Sequence, residues 1–370
     1  MPLLRRDLLA TAGITLGLFL AEGWQVDDAR AMDHVGLADL VVTAKREGAL
    51  NLVALSHNWA FEPLMKSFSV RYGISIEDSN SEGSSAEELQ AIRSLRGQSR
   101  APDCVDLSPT FATLGTQQKL FQPYKVSTWS EIPVDARDPN GMWVGDYFGI
   151  ISFAVNRRVV AEVPQRWSDL LKPEYRGMVA MDGTPLGSGD AFAAVMAAAI
   201  ANGGSFTNIA PGIEFFGRLS RAGNLNPIAT TEATLASGQT PIVLRWDYLN
   251  LASRDNMAKM VPIEVVVPQD APPFGAYYCQ AINAVAPHPK AARLWQEFLY
   301  SNEGQLGFLA QYAHPIRFNA MLAAGAIPPG MLARVPSPQA YKQVRFASLA
   351  ESDAAKKVLA ELWPRTVKID

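Results

Sequence analysis

The sequence is poor in reactive side chains. It holds two cysteines, Cys104 and Cys279, and four histidines, His34, His57, His288 and His314. No C-x-x-C pair or His/Cys cluster has the spacing of a zinc site. No G-x-S-x-G elbow and no H-E-x-x-H helix is present, which excludes two common hydrolase signatures. One disulfide is conceivable in an oxidising compartment. Both cysteines, however, sit in β-like runs, DCVDL and YYCQAINAVA, where a thiol behaves as a small buried hydrophobe, and two buried thiols are expected. A cationic excess is also missing. The formal charge of −3 argues against a general nucleic-acid binder. Beyond the N-terminus no apolar run is long enough to span a bilayer. Hydrophobic residues are plentiful. At 48% of 370 residues they allow a large core, exclude wholesale disorder and suit one large or two ordinary domains.

The N-terminus reads as an export signal over residues 1–31. Arg5-Arg6 form a basic start, Leu8 to Ala21 an apolar stretch, and Ala29-Arg30-Ala31 a small-x-small cleavage site, so the mature chain is expected to begin at Met32. Leu4-Arg5-Arg6-Asp7-Leu8-Leu9 resembles a twin-arginine signal but has Leu4 where Ser or Thr is usual, which leaves the Sec route open.

Periodicity then predicts an α/β alternation. Leu37 to Arg46 is an amphipathic helix stopped by Gly48, and Leu50 to Leu55 is an apolar strand. A helix over 61–72, a strand from Ile74 to Glu77, a helix from Ala86 to Leu95 and a strand from Cys104 to Leu107 complete a βαβαβ run, which implies a parallel sheet wrapped by helices. Phe148 to Val155 is extended and apolar, a candidate crossing. A second α/β unit follows, with strands at 178–181, 241–246 and 263–267 and a helix from Asp190 to Ala201. Gln280 to Ala286 reads as a further strand. Residues 289–299 and 301–312 read as a helical pair, opened by Pro289, capped again at Ser301 and ended by His314-Pro315. A last helix is expected near Ala354 to Leu362.

Three stretches carry a family resemblance. One is Ala44-Lys45-Arg46-Glu47-Gly48-Ala49-Leu50 with the strand after it. The second is the long ungapped run from Trp167-Ser168-Asp169-Leu170 to Tyr175-Arg176-Gly177. The third is Ser301-Asn302-Glu303-Gly304-Gln305 followed by Pro315-Ile316-Arg317. They resemble the type 2 periplasmic solute-binding proteins of bacterial ABC importers, near the iron, polyamine, thiamine and phosphonate binders, over about Leu40 to Arg317. The resemblance implies two lobes, each a mostly parallel sheet wrapped by helices, with hinge crossings between them. Lobe 1 would take residues 32–147 and 268–325, lobe 2 residues 148–267, and 326–370 would form a helical tail.

In open α/β sheets ligands bind beyond the carboxyl ends of strands. Four such ends stand out, and the family's binding residues usually come from these loops. The first carries His57, Asn58 and Trp59, where the Asn-Trp pair resembles polyamine-binding members. The alternative there is a hydrophobic staple for the next helix. The second begins at Ser108. The third is Gly187-Ser188-Gly189 at a helix start, which suits an anion or is simple capping; Asp190 in that first turn would repel an anion if it points inward. The fourth is Trp246-Asp247-Tyr248, where a carboxylate between aromatics can hold an ammonium or cap the following helix. Iron-binding relatives have adjacent tyrosines near this last site. Here the only adjacent pair is Tyr277-Tyr278, which strand alternation sends to opposite faces, so ferric iron is disfavoured.

The expectation is an exported, monomeric, non-catalytic receptor in the periplasm, without metal, cofactor or nucleic-acid partner. It would close on a small polar solute, amine-bearing and polyamine-like by preference, and deliver it to an inner-membrane ABC permease. The alternatives are an aminophosphonate or phosphate-ester binder, or a thiaminase-like enzyme of the same fold with Cys104 as nucleophile.

Overall fold

A computed structural model describes residues 34–53, 60–79, 84–336 and 338–368. The expected export signal and His57, Asn58 and Trp59 lie outside the described residues. After the helix His34–Glu47, strand β1 (Ala49–Val53) pairs in parallel with β2 (Ser75–Ser79) across the helix Phe61–Tyr72. Next come β3 (Cys104–Leu107), β4 (Phe121–Gln122) and the long β5 (Val144–Asn156). Strands β6 (Val179–Met181), β7 (Ile242–Trp246) and β8 (Ile263–Val266) precede the second long strand, β9 (Phe274–Asn283). Two short strands, β10 (His314–Pro315) and β11 (Arg345–Phe346), complete the set.

The two long strands make the architecture. All of β5 is buried, including Asp146, Ser152 and Asn156 within its mostly apolar run. Its first half pairs with β9 and β10, its second half with β7 and β8. Correspondingly, Val144, Tyr147, Phe148 and Ile150 belong to one hydrophobic core, and Ile151, Phe153 and Val155 to another. Because β5 runs from the first core to the second and β9 runs back, the two are antiparallel. The sheet is therefore mixed. The expected parallel alternation is found at β1/β2 and β6/β7, and the crossing strands supply the antiparallel pairs.

The stretch after residue 326 is no separate tail. Ile327, Val335 and Tyr341 sit in the first core, whereas Ala355, Leu359, Trp363 and Val367 sit in the second. Between them β11 pairs in parallel with β9 at Phe274 and Gly275, which makes a third crossing. The strand expected over 280–286 also differs, since β9 begins earlier and stops at Asn283. There the Asn283 side chain accepts the N–H of Val285 and donates to Pro102 O, an Asx-type turn that ends the ladder.

The resemblance motifs prove to be joints. Both Glu47 carboxylate oxygens lie within hydrogen-bond distance of the Lys290 N–H, and one accepts the Ala291 N–H at 2.8 Å, capping a helix 243 residues downstream. Trp167 is packed edge-on to Phe153 and Phe215. Ser301 Oγ caps the helix Asn302–Ala310, and Glu303 pairs with Arg71. Gln305 donates to the carbonyls of Leu299 and Asp146 and accepts the Arg317 N–H, tying the helical pair to β5. Cys104 stands opposite Ile282, and Cys279 opposite Leu107. Three residues of register is about 10 Å along a strand, beyond disulfide reach. Both thiols are free and buried.

Candidate functional site

A cleft of about 610 Å³ lies where the two cores face each other, a size suited to a small organic molecule. One wall is a run of aromatic rings. Tyr278 of β9 stacks on Tyr147 of β5 at 5.8 Å with 16° between planes. Tyr147 meets Tyr248 edge-on at 6.4 Å, and Tyr248 stacks on Trp246 at 6.4 Å and 13°. Gly149 lets the Tyr248 ring lie on the crossing strand, because any Cβ there would overlap the ring. Strand β7 delivers Trp246 to its carboxyl end, and Tyr248 follows in the first turn of the helix Asp247–Asn256.

The start of the helix Gly189–Ala201 also lines the cleft. Ser188 Oγ accepts the Ala191 N–H at 3.3 Å, so this serine caps the helix while also lining the cleft. Asp190, also on the cleft wall, accepts hydrogen bonds from the backbone and side chain of Trp246. Its Oδ2 has no partner among the described residues. Burial and the neighbouring Asp182 push its carboxyl up to about 6, against the opposing pull of Arg245 and Trp246. It is therefore largely ionised at neutral pH.

Behind the aromatic wall lies a layer of buried acids. Glu88 accepts the Asp106 N–H at 2.8 Å, and burial pushes its carboxyl up to about 9. Burial pushes Asp146 up to about 7 although it accepts the Tyr147 N–H at 2.8 Å. Asp106 is held well above the usual carboxylate range by burial and by Asp146, to which it is hydrogen-bonded.

A sequence profile of the bacterial extracellular solute-binding proteins matches residues 100–350. The chain belongs to this family. No curated protein matches the sequence. Among solved structures, an extracellular solute-binding protein from Bordetella parapertussis is 15% identical with a TM-score of 0.71, over 87% of this chain and 100% of that one. The spermidine/putrescine ABC transporter substrate-binding protein PotD from Streptococcus pneumoniae is 14% identical with a TM-score of 0.66, over 86% and 99%. The periplasmic binding protein AfuA from Actinobacillus pleuropneumoniae, solved with fructose-6-phosphate, is 18% identical with a TM-score of 0.62, over 87% and 99%. At such identities the likeness is one of fold: the two-lobe, type 2 periplasmic binding fold.

In this solute-binding protein six of the residues expected from strand ends, Ser108, Gly187, Ser188, Gly189, Trp246 and Tyr248, line the one cleft. Asp247 does not. Its carboxylate is fully buried, accepting the Ile150 N–H at 2.9 Å and the Tyr341 hydroxyl at 2.7 Å, with His314 Nε2 at 2.7 Å. The helix start explains the correction: β7 ends at Trp246, and Asp247 opens the next helix with its side chain turned onto the crossing segments that carry Ile150, His314 and Tyr341. The carboxylate at the aromatic wall is that of Asp190. Tyr147 was not singled out from the sequence, and Tyr278 was weighed only as half of an adjacent tyrosine pair, because both sit within crossing strands, away from strand ends. Tyr277 also lines the cleft but donates its hydroxyl to Asp135 O at 2.7 Å, whereas Tyr278 stacks on Tyr147. Cys104 is fully buried with its Sγ 3.8 Å from Ala292 O, and burial pushes its thiol well up, so it has no access to the cleft as a nucleophile.

Proposed function

We propose that this family member is the periplasmic receptor of an ABC importer and that it captures a small, amine-bearing polar solute. The observation that carries this reading is Asp190, a carboxylate with one unpartnered oxygen at the edge of the Trp246–Tyr248–Tyr147–Tyr278 wall. An ammonium placed there would gain a charge-assisted hydrogen bond and about 0.5–2 kcal/mol from each ring face it meets. An anion at the start of the helix Gly189–Ala201 would meet Asp190 in its first turn, which weakens the phosphate-ester alternative.

Three connections, β5, β9 and the β11 segment, join the two halves, and bending there would close the cleft and exclude water from the ion pair. Binding proteins of this kind hand a small solute to a membrane permease, and an exported chain beginning at Met32 fits that role. The test is calorimetric titration of the refolded mature protein with a panel of amines, amino acids and phosphate esters, alongside Asp190→Asn. Amine-bearing solutes should bind, and Asp190→Asn should weaken them at least tenfold, the loss expected when a desolvated charge pair is broken. Binding of phosphate esters alone, unweakened by Asp190→Asn, would overturn the reading.

A further inference from the structure

The cleft carries a second charge, brought by a part of the chain outside the family's usual strand-end loops. The helix Leu349–Thr366 starts beside the cleft, which Leu349, Ser352 and Lys356 help to line. The Lys356 ammonium lies 5.7 Å from the centre of the Phe192 ring, and Phe192 itself lines the cleft two residues beyond Asp190. Asp190, Phe192 and Lys356 thus line the same cleft. Asp190 and Lys356 make no ion pair with each other, and Lys356 makes none among the described residues. Two acids of the same region are engaged elsewhere. Glu351 accepts the Ser348 N–H and hydroxyl at 2.8 and 2.7 Å to cap its own helix, and Asp182 accepts the Thr230 hydroxyl at 2.8 Å.

From this geometry we infer that Lys356, with the Ser352 hydroxyl, is a specificity-determining subsite for an anionic group, and that the solute is an amine that also bears a carboxylate or phosphonate. This rests on the amine reading of Asp190 and narrows it. A diamine would place its second ammonium against Lys356. An anion without an amine would leave Asp190 unanswered. A zwitterion answers both charges, and closure would desolvate the two pairs together. The segment that carries Lys356 also spans both cores, with Tyr341 in the first and Leu359 and Trp363 in the second. An anionic group drawn to Lys356 would therefore pull directly on the third crossing.

The test uses the mature chain and four probes of similar length: 1,4-diaminobutane, 4-aminobutanoate, 3-aminopropylphosphonate and butanoate. Calorimetry is run on the parent, on Lys356→Met, which keeps the apolar stem over Phe192, and on Lys356→Arg. At least one zwitterion should bind the parent about fivefold or more tighter than the diamine, the two zwitterions distinguishing carboxylate from phosphonate. Lys356→Met should erase that preference, and Lys356→Arg should restore it. Diamine binding as tight as that of either zwitterion, unchanged by Lys356→Met, would overturn the inference and leave the amine reading standing. Binding of butanoate with none of the three amines, or binding of no probe, would overturn both.

Discussion

Asp247 offers the sharpest separation between a binding residue and a structural one. Its two carboxylate oxygens serve three partners from three segments: Ile150 on β5, His314 on β10 and Tyr341 ahead of β11. Replacing it with Asn keeps the shape and breaks the pattern. If the amide oxygen stays on the Ile150 N–H, the amide NH₂ faces His314 and Tyr341. Tyr341 can rotate its hydroxyl, but His314 can accept only by moving its proton to Nδ1, which is buried with no partner among the described residues. Either way one buried donor is left unmatched, at about 1–3 kcal/mol. Asp247→Ala orphans all three groups and should cost about 3–5 kcal/mol after some re-pairing. At about 2–4 °C per kcal/mol for lobes of this size, Asp247→Asn should lower the melting temperature of the unliganded protein by about 4–8 °C for a loss near 2 kcal/mol. Differential scanning calorimetry without solute reads this directly. An unchanged melting temperature together with lost solute binding would refute the reasoning and return Asp247 to the cleft.

Other expectations follow from the same contacts. Gly304→Ala would press a methyl group into the carbonyl oxygens of Phe298 and Leu299, which are backbone and cannot swing away, so a loss of about 3 kcal/mol or failure to accumulate as soluble protein is expected. A purified variant with parental stability would contradict the packing of that turn. Amine affinity should fall as pH drops through about 6, where Asp190 takes up its proton; flat affinity between pH 5 and 7.5 would count against its role. Stability without solute should run the other way. Glu88, Asp146 and Asp190 all hold protons more tightly folded than unfolded, so their contribution is complete below their ordinary values and is lost as pH rises through about 6, 7 and 9. Asp169 and Asp255 are lowered and titrate below that window. The protein should melt higher at pH 5.5 than at 8.5, and Glu88→Gln should flatten the upper part of that slope. A melting temperature that climbs across this range would be inconsistent with the buried acid layer.

Much of the fold was legible because local and tertiary signals agree in this chain. The helix over 61–72 and the strand Cys104–Leu107 have the ranges that periodicity predicts, and the helix Gly189–Ala201 differs by one residue at its start. The start of β9 was obscured because Gly275 and the tyrosines at 277 and 278 interrupt an aliphatic pattern. The site was half legible. Loops at strand ends marked Ser108, Gly187 to Gly189, Trp246 and Tyr248. Tyr147, Tyr278 and Lys356 come from the crossings and from the last helix, and only the folded chain brings those segments to one cleft. The choice of Asp247 over Asp190 turned on which way one side chain points at the change from strand to helix after Trp246, which only the folded chain shows.

The central claim is that an amine is held between Asp190 and the aromatic wall. A crystal structure of the exported protein purified with its natural solute still bound tests it most directly. A solute nitrogen within hydrogen-bond distance of the Asp190 carboxylate and over the face of Trp246 or Tyr248 is the expected result. A solute whose anionic group sits on the first-turn N–H groups of the helix Gly189–Ala201, with no nitrogen near Asp190, would contradict it.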